Sequence, residues 1–192
     1  GMQVQSVLKK ASQLEIKTIC PLHGPILREN LAHYINKYDI WSKYETESEG
    51  VYIACASIHG NTLKVCEKLK EILEEKGAEK VVLADLSRED WAEALEDSFR
   101  YGKIVFASAT YDMGIFTPMR DLLLNLKEKN YQNKKVAIIE NGTWAPNAGK
   151  CMKEIIATMK NVEIVEPVVT IKSTLKEDNI EKLNELAENL LK

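Results

Sequence analysis

The 192-residue chain lacks any apolar run long enough to cross a bilayer as a helix: its longest stretches, such as VVLA and IVFASA, fall far short of the roughly 20 residues required. It has no basic excess either. Lys and Arg number 26 against 29 Asp and Glu, for a formal net charge of -3, and the two signs are interspersed, which argues against a nucleic-acid partner. The first twenty residues carry Lys9, Lys10, Glu15 and Lys17 without a continuous apolar segment, so they do not read as a secretory signal. The four cysteines (Cys20, Cys55, Cys66, Cys151) form no C-x-x-C pair, which excludes the usual zinc and rubredoxin-type iron patterns and leaves buried thiols as the expectation. Neither G-x-x-x-x-G-K-[ST] nor G-x-G-x-x-G occurs, so nucleoside triphosphate and Rossmann dinucleotide sites lack their signatures. A soluble, cytoplasmic chain with one substantial core is expected, with Gly1 before Met2 resembling an expression remnant.

What is present is an alternation. From Val51 onward, short apolar runs alternate five times with amphipathic segments, the pattern of a parallel sheet with helical crossovers. Strands are predicted at 51–56, 80–85, 103–109, 135–141 and 163–171; all but the last are nearly continuous in apolar residues, as strands covered on both faces should be. Helices are predicted at 61–76, 88–96, 117–129, 148–159 and 176–191, the last opened by a capping-box pair of Thr174 and Glu177. Five such units predict an α/β fold: a flavodoxin-like, doubly wound, five-stranded parallel sheet of order 2-1-3-4-5 with helices on both faces. Residues before Gly50 break the rhythm and predict a short helix-strand-helix extension: a helix at 3–13, a strand at 16–20, a PLHGP turn and a helix at 27–38. The acidic ETESEG at 45–50 is the expected linker, dividing the chain into residues 1–49 and 50–192. A lone strand cannot bury itself, so the extension must pack on the sheet domain or on a partner.

In an open α/β sheet, ligands bind beyond the carboxyl ends of the strands near the reversal in strand order, here after the first, third and fourth strands. After the first comes SIHGNT. Backbone N–H groups entering the helix, with Ser57, Asn61 and Thr62 as side-chain donors, suit a phosphate; the same residues also suit an ordinary capped helix start, and both readings stay open. After the third comes SATYDMGIFTPM, in which Pro118 suits an opening helical turn, and Tyr111 with Gly114 suits a loop that sets an aromatic ring beside a flat ligand. After the fourth comes ENGTWAPNAGK, where Trp144 has few apolar neighbours. Two loop aromatics flanking a candidate phosphate cradle point to stacking on a ring system.

In order and spacing, ASIHGNT, SATYDMGIFTPM and ENGTWAPNAGK resemble the three FMN loops of flavodoxins, and specifically those of the flavodoxin domain in flavodiiron proteins (A-type flavoproteins). The segment IKTICPLHGPILRENLAHYINKYDIWSKYE resembles the tail of that family's metallo-β-lactamase-like diiron domain and the entry to its flavodoxin domain. By position, the resemblance implies that Ser57, Ile58, His59, Gly60, Asn61 and Thr62 hold the FMN phosphate. It implies that Ser108, Ala109, Thr110, Tyr111, Asp112 and Gly114 line one side of the isoalloxazine, and Asn141, Gly142, Thr143, Trp144 and Asn147 the other. His59 stands where many relatives have Tyr or Thr. His23, in PLHGP, matches the family's last iron ligand. The family's H-x-E-x-D-H run is absent, however, and the chain has only His23, His33 and His59. One imidazole cannot hold two irons, so His23 is expected to be an orphaned ligand and no metal site is expected.

The implied function is an FMN-binding electron-transfer module in which the flavin does the redox chemistry and the protein tunes it. The peptide at Met113–Gly114 is expected to turn a carbonyl towards the ring by flipping, with Gly114 tolerating both states. No acid, base or nucleophile is arranged for substrate turnover, and Asp112 reads as a loop residue. The resemblance implies electron flow from rubredoxin or a similar small donor towards a diiron oxygen or nitric oxide reductase site absent from this chain. Full-length family members are oxygen or nitric oxide reductases. Two alternatives use the same scaffold: an NAD(P)H-dependent FMN reductase, and a flavin-free interaction domain. The apolar residues Val4, Val7, Leu8 and Leu14 of the N-terminal segment are expected to drive formation of a homodimer.

Overall fold

The computed structural model describes residues 1–192, which fall into two compact units, Gly1–Glu47 and Ser48–Lys192. In the smaller unit, α1 (Met2–Ala11) and α2 (Leu31–Lys43) are tied by polar side chains. Gln5 Nε2 donates to Asp39 Oδ1 at 2.8 Å and to Ser42 Oγ at 2.7 Å. The strand predicted at 16–20 reduces to one antiparallel bridge between Ile19 and Leu27, whose N–H and C=O groups exchange bonds of 2.9 Å across the PLHGP turn. The helix predicted from Leu27 starts later for the same reason: Leu27 is held in that bridge, and Asn30 is left-handed (φ 52°), so helical geometry begins at Leu31. The helix then runs beyond Tyr38, supported by the Asp39–Lys43 pair at 2.5 Å one turn apart, until Tyr44 turns left-handed (φ 59°). Glu47 is held by Lys37 at 2.7 Å and by the Trp41 indole, so the expected linker is shorter than its composition suggests.

Along the larger unit run β1 (Ser48–Ala56), α3 (Asn61–Glu75), β2 (Val81–Asp85), α4 (Trp91–Arg100), β3 (Tyr101–Tyr111), β4 (Gly114–Ile115), α5 (Thr117–Glu128), β5 (Gln132–Asn141), α6 (Ala148–Ile156), β6 (Lys160–Ile171) and α7 (Glu177–Leu191). The long strands are parallel in the order β2-β1-β3-β5-β6, and β4 pairs antiparallel with the end of β3. Counted over the long strands, this is the flavodoxin-like order predicted from the five β/α units. Side chains alternate along the central strands. Tyr52, Ala54, Ile104, Phe106 and Ile138 join one core layer with residues of α4, α5 and α6, while Ile53, Cys55, Val105, Ala107 and Ile139 join another with α3 and α7. The edge strand β6 buries Val165, Val169 and Ile171, which is why its sequence is less continuously apolar.

Local chemistry moves several boundaries. Gly50, assigned to a linker by sequence, lies inside β1 with φ 124°, where a Cβ would stand 2.4 Å from the Lys80 carbonyl oxygen. Only glycine passes this irregularity, at which the β1–β3 register shifts between Ser48 and Val51. The start of α4 falls at Trp91, not Arg88, because the N–H groups of Arg88 and Glu89 turn back to the Asp85 carbonyl (2.9 Å each) and Asp90 caps the helix through the Ala92 N–H at 2.7 Å. In place of the Thr174–Glu177 box, α7 has Lys176 at its N-cap, whose N–H donates to Asn179 Oδ1 at 3.1 Å. No helix is long and apolar enough to cross a membrane.

Lys134 is buried beneath α4, with Nζ donating to the Phe99 carbonyl at 2.8 Å, and burial pulls its ammonium down from 10.5 to about 8. The unfolded chain keeps this proton to higher pH than the folded chain, so the stability difference attributable to Lys134 grows as pH climbs from about 8 towards 10.5. Relative to Lys134→Met, the unmodified protein is expected to gain on the order of 1–3 kcal/mol across that window in denaturant titrations.

Candidate functional site

The loops leaving β1, β3 and β5 meet at one rim of the sheet. After β1, Ser57 is buried and its Oγ accepts the Gly60 N–H at 3.0 Å. Gly60 is left-handed (φ 84°) and leads into α3. No side chain caps α3, and the first intrahelical bond here runs from Lys64 N–H to the Gly60 carbonyl at 3.0 Å. The N–H groups of Asn61, Thr62 and Leu63 are therefore left pointing out of the helix end. Thr62 is buried, and Ile58 and His59 are exposed.

After β3 the chain makes a tight hairpin. Thr110 pairs with Ile115 and Tyr111 with Gly114. Asp112 and Met113 form the two-residue turn, both left-handed at φ 47° and 58°. Gly114, expected to be the conformationally permissive residue here, lies in extended β4, where an added Cβ would meet only ordinary contacts of 3.7 and 3.9 Å. The unusual backbone falls one and two residues earlier. Ser108 is fully buried, its hydroxyl donating to the Ala109 carbonyl at 2.9 Å and accepting the Phe116 N–H at 3.3 Å.

After β5, Asn141 clamps the loop that follows β6: its Oδ1 accepts the Ser173 N–H at 3.1 Å and its Nδ2 donates to the Ser173 carbonyl at 3.0 Å. Gly142 passes so close to Pro146 that a Cβ would stand 2.9 Å from its Cα and 3.1 Å from Thr110 Oγ1. Thr143 is exposed, and Trp144 projects with 97% of its surface in solvent. Asn147 lies at the N-cap of α6, its N–H donating to Thr110 Oγ1 at 3.1 Å.

Together with the loop after β6, these three loops border an open cavity of about 280 Å³. Of the residues predicted for the site, it brings together Ser57, Ile58, His59, Asn61, Thr62, Ala109, Thr110, Asn141, Gly142 and Thr143. Gly60 shapes the turn behind it, Ser108 is buried in the sheet, and Tyr111, Asp112, Gly114, Trp144 and Asn147 lie on the flanking loop segments outside the lining. Sequence reasoning missed Ser173, which lines the same cavity from the loop after β6 and is left-handed at φ 70°. Its signal was present, since a parallel strand delivers its following loop to this rim, but KSTLKE read as a helix cap. It also missed Glu140, whose buried carboxylate accepts the Gly149 N–H at 2.8 Å and the Thr170 hydroxyl at 2.8 Å. A second cavity of about 300 Å³ lies at the opposite end of the sheet, between mixed charges that include Glu49, Lys76, Glu79 and Lys103. It lies away from the carboxyl ends of the strands. His23 is exposed in the smaller unit, and no group of three or more His, Cys, Asp or Glu side chains converges in the chain.

A doubly wound parallel sheet with its cavity at the strand carboxyl ends defines a flavodoxin-like α/β domain. The solved structures it is similar to include flavodiiron proteins, which it matches over about half of their length, the flavodoxin-like C-terminal half. Rubredoxin oxygen:oxidoreductase from Desulfovibrio gigas superposes with a TM-score of 0.88 at 20% identity, covering 98% of this chain and 47% of that one. A flavo di-iron protein variant from Thermotoga maritima superposes at 0.81 with 26% identity, covering 98% and 47%. In sequence, a nitric oxide reductase of Moorella thermoacetica is 26% identical over 181 residues, 92% of this chain and 44% of that protein. The chain thus spans about half the length of the curated relatives it matches. No protein-family model matches the chain.

Glu140 ties the start of α6 to β5 and β6 through two charge-assisted bonds, each in the range of about 1.5–3 kcal/mol. Glu140→Ala is expected to destabilise the fold by about 2–4 kcal/mol in urea titration, whereas Glu140→Gln, with its carbonyl for Gly149 and its amide for Thr170, should lose less than half of that.

Proposed function

We propose that the chain is an electron-transfer module that binds FMN at this rim. The observation that carries the reading is the start of α3, a helix end without a side-chain cap that opens into a cavity bordered by the loops after β1, β3, β5 and β6. Its outward N–H groups and the positive end of the helix dipole suit the phosphate of a mononucleotide without a lysine. Ser57 and the left-handed Gly60 hold the turn that aims those groups. Beyond the cavity, Tyr111 and Trp144 stand 54% and 97% exposed on the two neighbouring loops, and large aromatic faces left in water there support a stacking role towards a flat ring. When bound, the flavin supplies the redox chemistry; the chain's part is to bind, orient and shield it.

The relatives extend this proposal. In this reading, residues 1–49 correspond to the end of a metallo-β-lactamase-like diiron domain and residues 50–192 to the FMN domain. The name rubredoxin oxygen:oxidoreductase supports rubredoxin or a similar small protein as donor, and together with nitric oxide reductase it supports a diiron oxygen or nitric oxide reductase site, outside these residues, as acceptor. Exposed Val7 and Leu14 support self-association through the N-terminal segment.

Titrating FMN into the protein is expected to quench flavin fluorescence, with an affinity at least about tenfold above that for riboflavin, a phosphate contribution of about 1.4 kcal/mol or more. Trp144→Ala should retain uptake and recover part of the emission. Failure to take up FMN overturns the proposal, and steady NAD(P)H oxidation by the isolated protein would mark a reductase instead.

A further inference from the structure

Two residues assigned to ligand contact by sequence turn their polar atoms towards each other's loops. Asn147 occupies the N-cap position of α6, yet its side chain does not cap that helix. Its Nδ2 reaches across to the Met113 carbonyl at 2.7 Å. The capping is done from another strand: Thr110 Oγ1, at the end of β3, accepts the N–H groups of Asn147 at 3.1 Å and Ala148 at 3.2 Å. The exchange is reciprocal, with the β3 hairpin capping α6 and the α6 N-cap residue holding the β3 hairpin.

The hairpin turn requires such a hold. Two-residue turns of this hand favour Asn-Gly or Asp-Gly, because both central residues have positive φ. Here the second position is Met113 at φ 58°, a conformation that strains a residue with a Cβ. Packing supplies little compensation, since Met113 and Tyr111 are 66% and 54% exposed. The Asn147 bond is the side-chain hydrogen bond that reaches the turn carbonyl.

We infer that Thr110 and Asn147 form a brace that locks the Asp112–Met113 turn to the start of α6, and so act as positioning residues that fix the Met113 carbonyl at the rim. This inference rests on the FMN reading for its functional meaning, but the brace itself is a property of the ligand-free protein. Thr110 also borders the cavity, and Gly142 packs against its hydroxyl, so a displacement of the 142–147 loop is transmitted to the Met113 carbonyl through the same pair.

Amide hydrogen exchange on the ligand-free protein tests the brace directly. Asn147→Ala, Asn147→Asp and Thr110→Val are each expected to speed exchange at residues 112–114 about fivefold or more, while Leu122 and Leu123 in the α5 core keep their protection. Thr110→Ser, which retains the hydroxyl, should restore the unmodified rate. In the FMN complex, Asn147→Asp should shift the visible absorption bands and weaken FMN and riboflavin by the same factor, because the brace does not touch the phosphate. Unchanged exchange in the ligand-free variants overturns the brace; if exchange is unchanged while FMN affinity still falls, these residues are direct ligand contacts instead. Faster exchange in a protein that takes up no FMN upholds the brace and removes only the flavin reading.

Discussion

The rim is organised by a difference between helix N-termini. At α6 the first N–H groups are already taken, by Thr110 and by the carboxylate of Glu140. At α5 Pro118 has no N–H, and Met119 turns back to the Phe116 carbonyl at 3.0 Å. Of the helices that follow β1, β3 and β5, α3 starts with three successive N–H groups that no side chain caps, whereas α5, also without a side-chain cap, has its first turn closed by Pro118 and the Phe116 carbonyl. All three carry the positive end of a helix dipole, but a dipole serves an anion only where the N–H groups remain available. The Glu140 charge also makes the neighbouring helix end unwelcoming to a second anion. On the proposed reading, the phosphate has a single seat, beside the first loop.

The long strands were legible because each is an apolar run of the right length, and five repeats of strand and helix leave few ways to order a parallel sheet. What escaped was decided by partners distant in sequence. Gly50 looks like linker composition until Lys80 arrives beside it. The strand β4 is two residues long, and its Asp-Met turn lacks the glycine that announces a hairpin. In the smaller unit, an apolar segment with a promising look forms one bridge because the turn returns only enough chain for Leu27.

The site divides in the same way. That the loops after β1, β3 and β5 converge was legible from strand order. Which of their polar groups face the cavity was not, because Ser, Thr and Asn suit a ligand and a neighbouring backbone equally well. Ser108 answers to Ala109 and Phe116, and Asn141 answers chiefly to Ser173, while Thr62 is brought into the cavity. Residue type gives the vocabulary of such a rim; the fold chooses the partner.

The edge strand β6 has a consequence of its own. Its pairing with β5 skips from Val165 to Val169, so residues 166–168 leave the ladder. Within that gap Glu166 accepts the Val168 N–H at 3.0 Å and pairs with Lys153 at 2.6 Å, and its carbonyl accepts the Asn189 amide at 3.0 Å. At these residues the border that another molecule would meet is kinked and charged, with the Glu166 carbonyl and the Val168 N–H already taken. A foreign strand laid along β6 would have to cross that break, so the edge offers no unbroken ladder to copy.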